Sequence, residues 1–144
     1  MYIDSQLLFS DAQAITAAAA STNSINLGAV RDIGTGQDLY VVCICDVAMT
    51  DTDSDSTLAV ALEGDSTTTF TPDGTDALFT FSALSAIGTT KIAKLSPGMN
   101  ALQYQYVQLK YTPAGGNLTT GSFTAFITTD VQKYVSYADS ITIL

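Results

Sequence analysis

The sequence predicts an all-β protein, an antiparallel jelly-roll-like β-sandwich in a single domain, and three observations lead there. From Asn23 onward, apolar residues recur with a period of two. Turn-forming residues interrupt these runs at intervals of about 8–15 residues, the spacing of sandwiches and jelly rolls. Between the runs nothing carries the 3.6-residue period that a parallel α/β fold needs for its crossover helices. The chain has 144 residues, which suits one domain. A domain of this size buries about 68–70% of its unfolded surface, so it needs neither disulfide nor metal to fold.

Residues 1–22 read as an extended N-terminal arm ahead of a domain of residues 23–144. Residues 1–16 hold one apolar anchor, Leu7, Leu8 and Phe9, with Ile3 beside it. The other reading makes this segment the first strand of the domain's own sheet. The alanine run at 17–20 suffices for one helical turn, but so short a helix is marginal without packing.

Ile25 and Leu27 alternate with polar neighbours, and Gly28 and Gly34-Thr35-Gly36 mark a loop. Residues 39–49 give the strongest strand signal. Leu39, Val41, Cys43, Cys45 and Val47 fall on one face, with Tyr40, Val42 and Ile44 on the other, as in a central strand covered on both sides. Residues 57–63 place Leu58, Val60 and Leu62 inward, and residues 78–82 place Phe79 and Phe81 on one face. Residues 91–95 form a short strand before Ser96-Pro97-Gly98, a turn signal. Residues 103–111 alternate Val107, Leu109 and Tyr111 against Tyr104, Tyr106, Gln108 and Lys110. Residues 122–129 alternate Phe123, Ala125 and Ile127 against Thr124, Phe126 and Thr128. A last strand is expected at 141–144.

Composition narrows the function. The chain is 47% hydrophobic but only 13% charged, with a formal net charge of −9. Its five cations, Arg31, Lys91, Lys94, Lys110 and Lys133, are scattered. Nucleic-acid binding needs clustered cations to displace phosphate counterions, and an anionic membrane surface repels such a chain. Neither partner is expected. No run approaches the ~18 apolar residues that span a bilayer, and the N-terminus lacks the pattern of a signal peptide, so a cytoplasmic site of synthesis is expected.

Catalytic chemistry is poorly served. Histidine is absent, which removes Ser-His-Asp and Cys-His nucleophiles and most catalytic zinc sites. Glu63 is the single glutamate, Trp is absent, and no phosphate-binding glycine motif occurs. We expect no enzyme, cofactor or metal. Cys43 and Cys45 would point to the same face of a strand with parallel side chains, a geometry that disfavours a bridge. Asp51-Thr52-Asp53-Ser54-Asp55 has the spacing that begins an EF-hand loop, but position six is Ser56 and position twelve is Leu62. A solvated acidic hairpin tip is the expected outcome. Lys91 and Lys94 suit an edge strand guarded against unwanted pairing. Tyr104 and Tyr106, on a half-polar face with Gln108 and Lys110, suit a protein interface.

Several segments together resemble the Bbp16-like cement proteins of tailed-phage capsids. They are Leu7-Leu8-Phe9-Ser10-Asp11-Ala12-Gln13-Ala14, Ala20-Ser21-Thr22-Asn23-Ser24-Ile25-Asn26-Leu27-Gly28, Arg31-Asp32-Ile33-Gly34 and Asp38-Leu39-Tyr40-Val41-Val42. Leu95-Ser96-Pro97-Gly98, Tyr106-Val107-Gln108-Leu109-Lys110-Tyr111, residues 115–121 and residues 125–130 continue the pattern in order. Residues 51–55 and 63–90 have no counterpart in it. The resemblance implies a jelly-roll-like protein on the outer surface of the virion. There it clamps neighbouring major capsid proteins, with a dimer favoured. On this reading Ile3, Leu7, Leu8, Phe9, Tyr104 and Tyr106 make the partner interface. The alternatives are a carbohydrate-binding or adhesion module of a phage fibre, and a small hydrolase built on a sandwich.

Overall fold

A computed structural model describes residues 3–29 and 36–131 as two antiparallel sheets packed face to face. The strands are β1 (Leu8–Ala14), β2 (Ala19–Ala20), β3 (Ile25–Asn26), β4 (Leu39–Thr50), β5 (Thr57–Asp65), β6 (Gly74–Phe81), β7 (Thr90–Leu95), β8 (Tyr106–Ala114) and β9 (Thr120–Thr128). The first sheet has the order β1-β9-β4-β7 and the second β2-β8-β5-β6, with β3 also on β8. Since β2 and β3 both lie on β8, they act as two halves of one interrupted strand. The chain then changes sheet at almost every connection, and only β5 and β6 follow one another within a sheet. Two four-stranded sheets wound in this way are a jelly roll.

The alternation read from the sequence builds the core. Val41, Cys43 and Cys45 of β4 and Phe123, Ala125 and Ile127 of β9 face Leu58, Val60 and Leu62 of β5 and Val107, Leu109 and Tyr111 of β8. Phe123 joins the layers, with its ring centroid 5.0 Å from Phe81 and 6.2 Å from Tyr111. On the other side of the first sheet Val42 and Phe126 are also buried, and they are register partners. β4 is therefore covered on both faces. Cys43 and Cys45 are both free and buried. Beside the second sheet, a short 3-10 turn (Ala101–Gln103) seats against Gly64 and Gly74. A Cβ at Gly64 would overlap the Ala101 backbone, which is why the strand carries glycine there.

The N-terminal arm is not observed. Residues 8–14 are β1, hydrogen-bonded to β9 with Leu8 opposite Phe126 and Ser10 opposite Ala125. Phe9 and Ile15 are fully buried, so the domain begins within the segment assigned to the arm. Its pattern was masked by irregular register: pairing shifts between Leu8 and Ser10 and again before Gln13, and Ala12 has φ 45°. Phe9 and Ser10 consequently both serve the interior, the latter through a 2.8 Å hydrogen bond between its hydroxyl and that of Tyr111. The segment that follows covers β1: Asn23 N–H donates to the Phe9 carbonyl, and Gln13 Nε2 donates to the Ala20 carbonyl.

The alanine run, too short for a stable helix, ends in strand β2, where Ala19 and Ala20 pair with Tyr111 and Lys110. Three smaller readings also change. Residues 51–56 are not a hairpin tip, since β4 and β5 lie in different sheets. Val47 leaves the core face, because the β4–β9 register slips between Cys45 and Val47. β8 begins at Tyr106, residues 101–103 being the 3-10 turn. The strand expected at 141–144 lies outside the described residues. β7 occupies a sheet edge, and Lys94 there forms a 2.8 Å ion pair with Asp38.

Candidate functional site

The structure divides the apolar N-terminal anchor. Phe9 belongs to the core and is unavailable to a partner. Asp4 caps the turn Ser5–Leu7 through the Gln6 N–H at 2.9 Å, and this turn sets Leu7 against the core. Ile3 and Leu7 line a shallow groove with Leu39, Phe126 and Ile127. Leu8 is half-buried, and it lines a separate open depression of about 730 Å³ whose other walls are mainly hydroxyls and amides, Ser5, Gln6, Thr22, Asn23, Ser24 and Asn26 among them.

The tyrosines are also separated. Tyr104 lies outside β8, where its hydroxyl donates to the Asp73 carbonyl at 3.2 Å and its ring covers Gly74. Tyr106 opens β8 opposite Asn26 and Asp65. It shares the outer face of the second sheet with Gln108 and Lys110. Gln108 is held there by a 2.9 Å bond from its Nε2 to Glu63 Oε2. Ala59, Ala61 and Thr112 leave this face flat, and Tyr106 is only half-exposed. Tyr111 is fully buried, and burial raises its phenol well above the usual tyrosine range.

The acidic segment serves the chain itself. Both carboxylate oxygens of Asp51 accept backbone N–H groups, from Ser54 and Ser56, and this shapes the crossing from the first sheet to the second. Asp65 does similar work at the end of β5. It accepts from Thr67 N–H at 2.7 Å and Thr71 N–H at 2.6 Å, and these bonds hold its carboxyl below the usual range. Among the described residues, no group of three carboxylate or thiol side chains converges to hold a metal ion.

The surface that sequence reasoning missed is a corner beside the end of β4. Residues 82–89 carry the chain from β6 in the second sheet to β7 in the first. They lie along β4 through Met49 N–H to the Ser85 carbonyl (2.9 Å), Gly88 N–H to the Cys45 carbonyl (2.8 Å) and Cys45 N–H to the Thr89 carbonyl (2.9 Å). The Ser85 hydroxyl closes the bend by donating to the Ser82 carbonyl at 2.7 Å. Within this braced segment Leu84 has φ 56°, a left-handed conformation that costs a leucine about 1–2 kcal/mol. Its side chain is 53% exposed; Ile87 is 70% exposed and neighbouring Val47 45%. These are the exposed large apolar side chains among the described residues. The sequence held one signal for this corner: from Ala77 to Thr90 there is no charged residue, in a chain of net charge −9.

The chain matches the family model Bbp16 over residues 9–127. No curated protein matches the sequence. Among solved structures, it is similar to a chain from "Structure of infectious bursal disease virus Gx strain", with 14% identity and a TM-score of 0.45; the match covers 89% of this chain and 32% of that one. The family match spans nearly the whole sandwich, from the buried Phe9 of β1 to the Ile127 of β9, and on that ground the chain belongs to the Bbp16 family, a phage protein family.

Proposed function

We propose that the chain is a capsid cement protein. It binds the outer surface of an assembled phage shell and reinforces contacts between neighbouring major capsid proteins, acting as a binding protein without catalytic activity. Family membership over residues 9–127 is the observation that carries this reading. The charge supports it: a protein of net charge −9 on the outer surface has no need to meet the genome.

The mechanism is linkage. A protein that binds the assembled shell and not its dissociated subunits stabilises the shell in proportion to its occupancy. A rigid sandwich suits this task, because little conformational freedom is lost on docking. Paired copies, which the family resemblance favours, would add avidity through effective concentration. The protein would be synthesised in the bacterial cytoplasm and end on the virion.

The test is co-sedimentation with phage capsids stripped of this protein, compared with unexpanded procapsids. Saturable binding at a fixed ratio to capsid subunits is expected, and absence of binding to both shells overturns the proposal. One observation favours a second reading, an adhesion module: the depression lined by Ser5, Gln6, Thr22, Asn23, Ser24 and Asn26 presents the hydroxyls and amides that sugars hydrogen-bond. Binding on a glycan array, absent on stripped capsids, would establish that reading instead.

A further inference from the structure

We infer that the depression between β1 and β3 is a binding site for a neutral saccharide, a function additional to shell binding. The inference goes beyond the cement reading, names the ligand class and the residues that select it, and holds whether or not a shell is bound. The depression lies where the edge strand of the first sheet meets the interrupted edge of the second, joined by the bond from Asn23 N–H to the Phe9 carbonyl. It is lined by Ser5 and Gln6 from the turn before β1 and by Thr22, Asn23, Ser24 and Asn26 from β3 and the segment leading into it. Its volume of about 730 Å³ falls in the roughly 300–1,000 Å³ range of small-molecule sites. None of its lining residues is charged, in a chain of net charge −9. The carboxylate next in sequence, that of Asp4, is occupied by the Gln6 N–H.

Two asparagines decide the ligand class. Asn23 donates its Nδ2 to the Leu8 carbonyl at 3.1 Å, and its Oδ1 makes no bond among the described residues. Asn26 is held the other way round. Its Oδ1 accepts the Gly28 N–H at 2.8 Å and Gln105 Nε2 at 3.3 Å, which leaves its Nδ2 without a bond among them. A backbone carbonyl needs a donor and a backbone N–H an acceptor, so both amides have a fixed orientation. The depression therefore presents one acceptor and one donor, each anchored at its other end, and little rotamer freedom is lost when a ligand takes them up. A hydroxyl both donates and accepts, so the hydroxyls of a sugar ring can satisfy the pair. Gln6 and Ser24 add further polar groups, and Leu8 and Ile25 give an apolar patch for the C–H face of the ring. A charged ligand finds no counter-charge in this lining, and the field of the acidic chain repels an anion. With no aromatic platform, affinity is expected at about millimolar for one site, raised by avidity wherever copies are repeated.

The test is an array of neutral and charged oligosaccharides probed with the whole chain, then NMR titration with the strongest neutral ligand up to about 20 mM. Binding of a neutral saccharide is expected, with shifts confined to the backbone amides around residues 5–8 and 22–28. Asn26→Asp keeps the acceptor for the Gly28 N–H and removes the free donor. It is expected to weaken saccharide binding about tenfold with an unchanged melting temperature. Gln6→Ala, at an exposed position, should weaken it several-fold and also leave the melt unchanged. If no neutral saccharide binds on the array or at the top of the titration, the inference is overturned. It is overturned equally if binding shifts other amides and survives both variants. If the wild type binds shells but no saccharide, and both variants lose shell binding, the depression is a shell contact: the cement reading stands and this inference fails. If the wild type binds a saccharide through these residues but no shell, the cement reading fails and this inference stands.

Discussion

Replacing Phe9 with alanine separates a core strand from a docking arm. Phe9 is fully buried in β1, between Leu8, which pairs with Phe126, and Ser10, which pairs with Ala125. Its carbonyl accepts the Asn23 N–H, so the backbone around it is tied on both sides and has little freedom to collapse into the space left behind. Removing a buried phenylalanine ring costs about 3–5 kcal/mol, with the upper half of that range expected where relaxation is hindered. Against a total stability of about 5–15 kcal/mol, that is a large fraction, and it should lower the melting point by roughly 10–15 °C. The assay is equilibrium urea unfolding followed by circular dichroism, with Leu8→Ala as the partner variant. The half-buried Leu8 should lose about 1 kcal/mol or less. The reasoning is refuted if Phe9→Ala unfolds within 1 kcal/mol of wild type while losing capsid binding, for the segment would then be an arm after all.

Four further outcomes follow from the packing and the buried polar groups. Gly64→Ala should destabilise the fold by about 1–3 kcal/mol or more in the same urea assay, because its methyl group meets the Ala101 backbone rather than a side chain that can turn away. Tyr111→Phe removes the 2.8 Å bond to the Ser10 hydroxyl but leaves that hydroxyl bonded to Gln13, so a loss of about 1 kcal/mol is expected. In the wild type, burial first and the nearby Cys43 second raise the Tyr111 phenol. Stability from keeping it neutral is therefore complete below about pH 10, the unfolded value, and declines as pH rises above it. A spectrophotometric titration should show this phenol ionising only with unfolding. Asp65 runs the other way: the Thr67 N–H bond chiefly, with the Thr71 N–H, lowers its folded value. Its contribution is present above about pH 4 and is lost as pH falls through that lowered value, so Asp65→Asn should flatten the acid limb of a stability-pH curve.

Much of this architecture is written in local pattern. The alternation of Leu58, Val60 and Leu62, of Val107, Leu109 and Tyr111, and of Phe123, Ala125 and Ile127 places each residue correctly, because a regular strand against a core repeats every two residues. β4 was legible as a doubly covered strand for the same reason, Val42 being apolar on the side away from the core. The charge of −9 and the missing histidine likewise belong to the sequence and need no fold to be interpreted.

The sequence left β1 as one of two readings of the N-terminal segment, and it revealed neither the split of the proposed interface nor the apolar corner. β1 breaks the two-residue period at its bulges, so its partner β9, more than a hundred residues away, determines which of Phe9 and Ser10 turns inward. Leu7, Leu8 and Phe9 are equivalent as letters, and only the sheet decides that Phe9 is core while Leu8 remains half-buried. The same holds for Val47, which continues the inward series of β4 by count and leaves it by register. The corner depends on a crossing between sheets: residues 82–89 meet β4 because the jelly roll sets β7 beside it, forty residues on in the chain. Composition and periodicity determine what each strand can bury. Which of those apolar side chains remain in water is decided by long-range pairing, since exposure belongs to the packed molecule and to no segment alone.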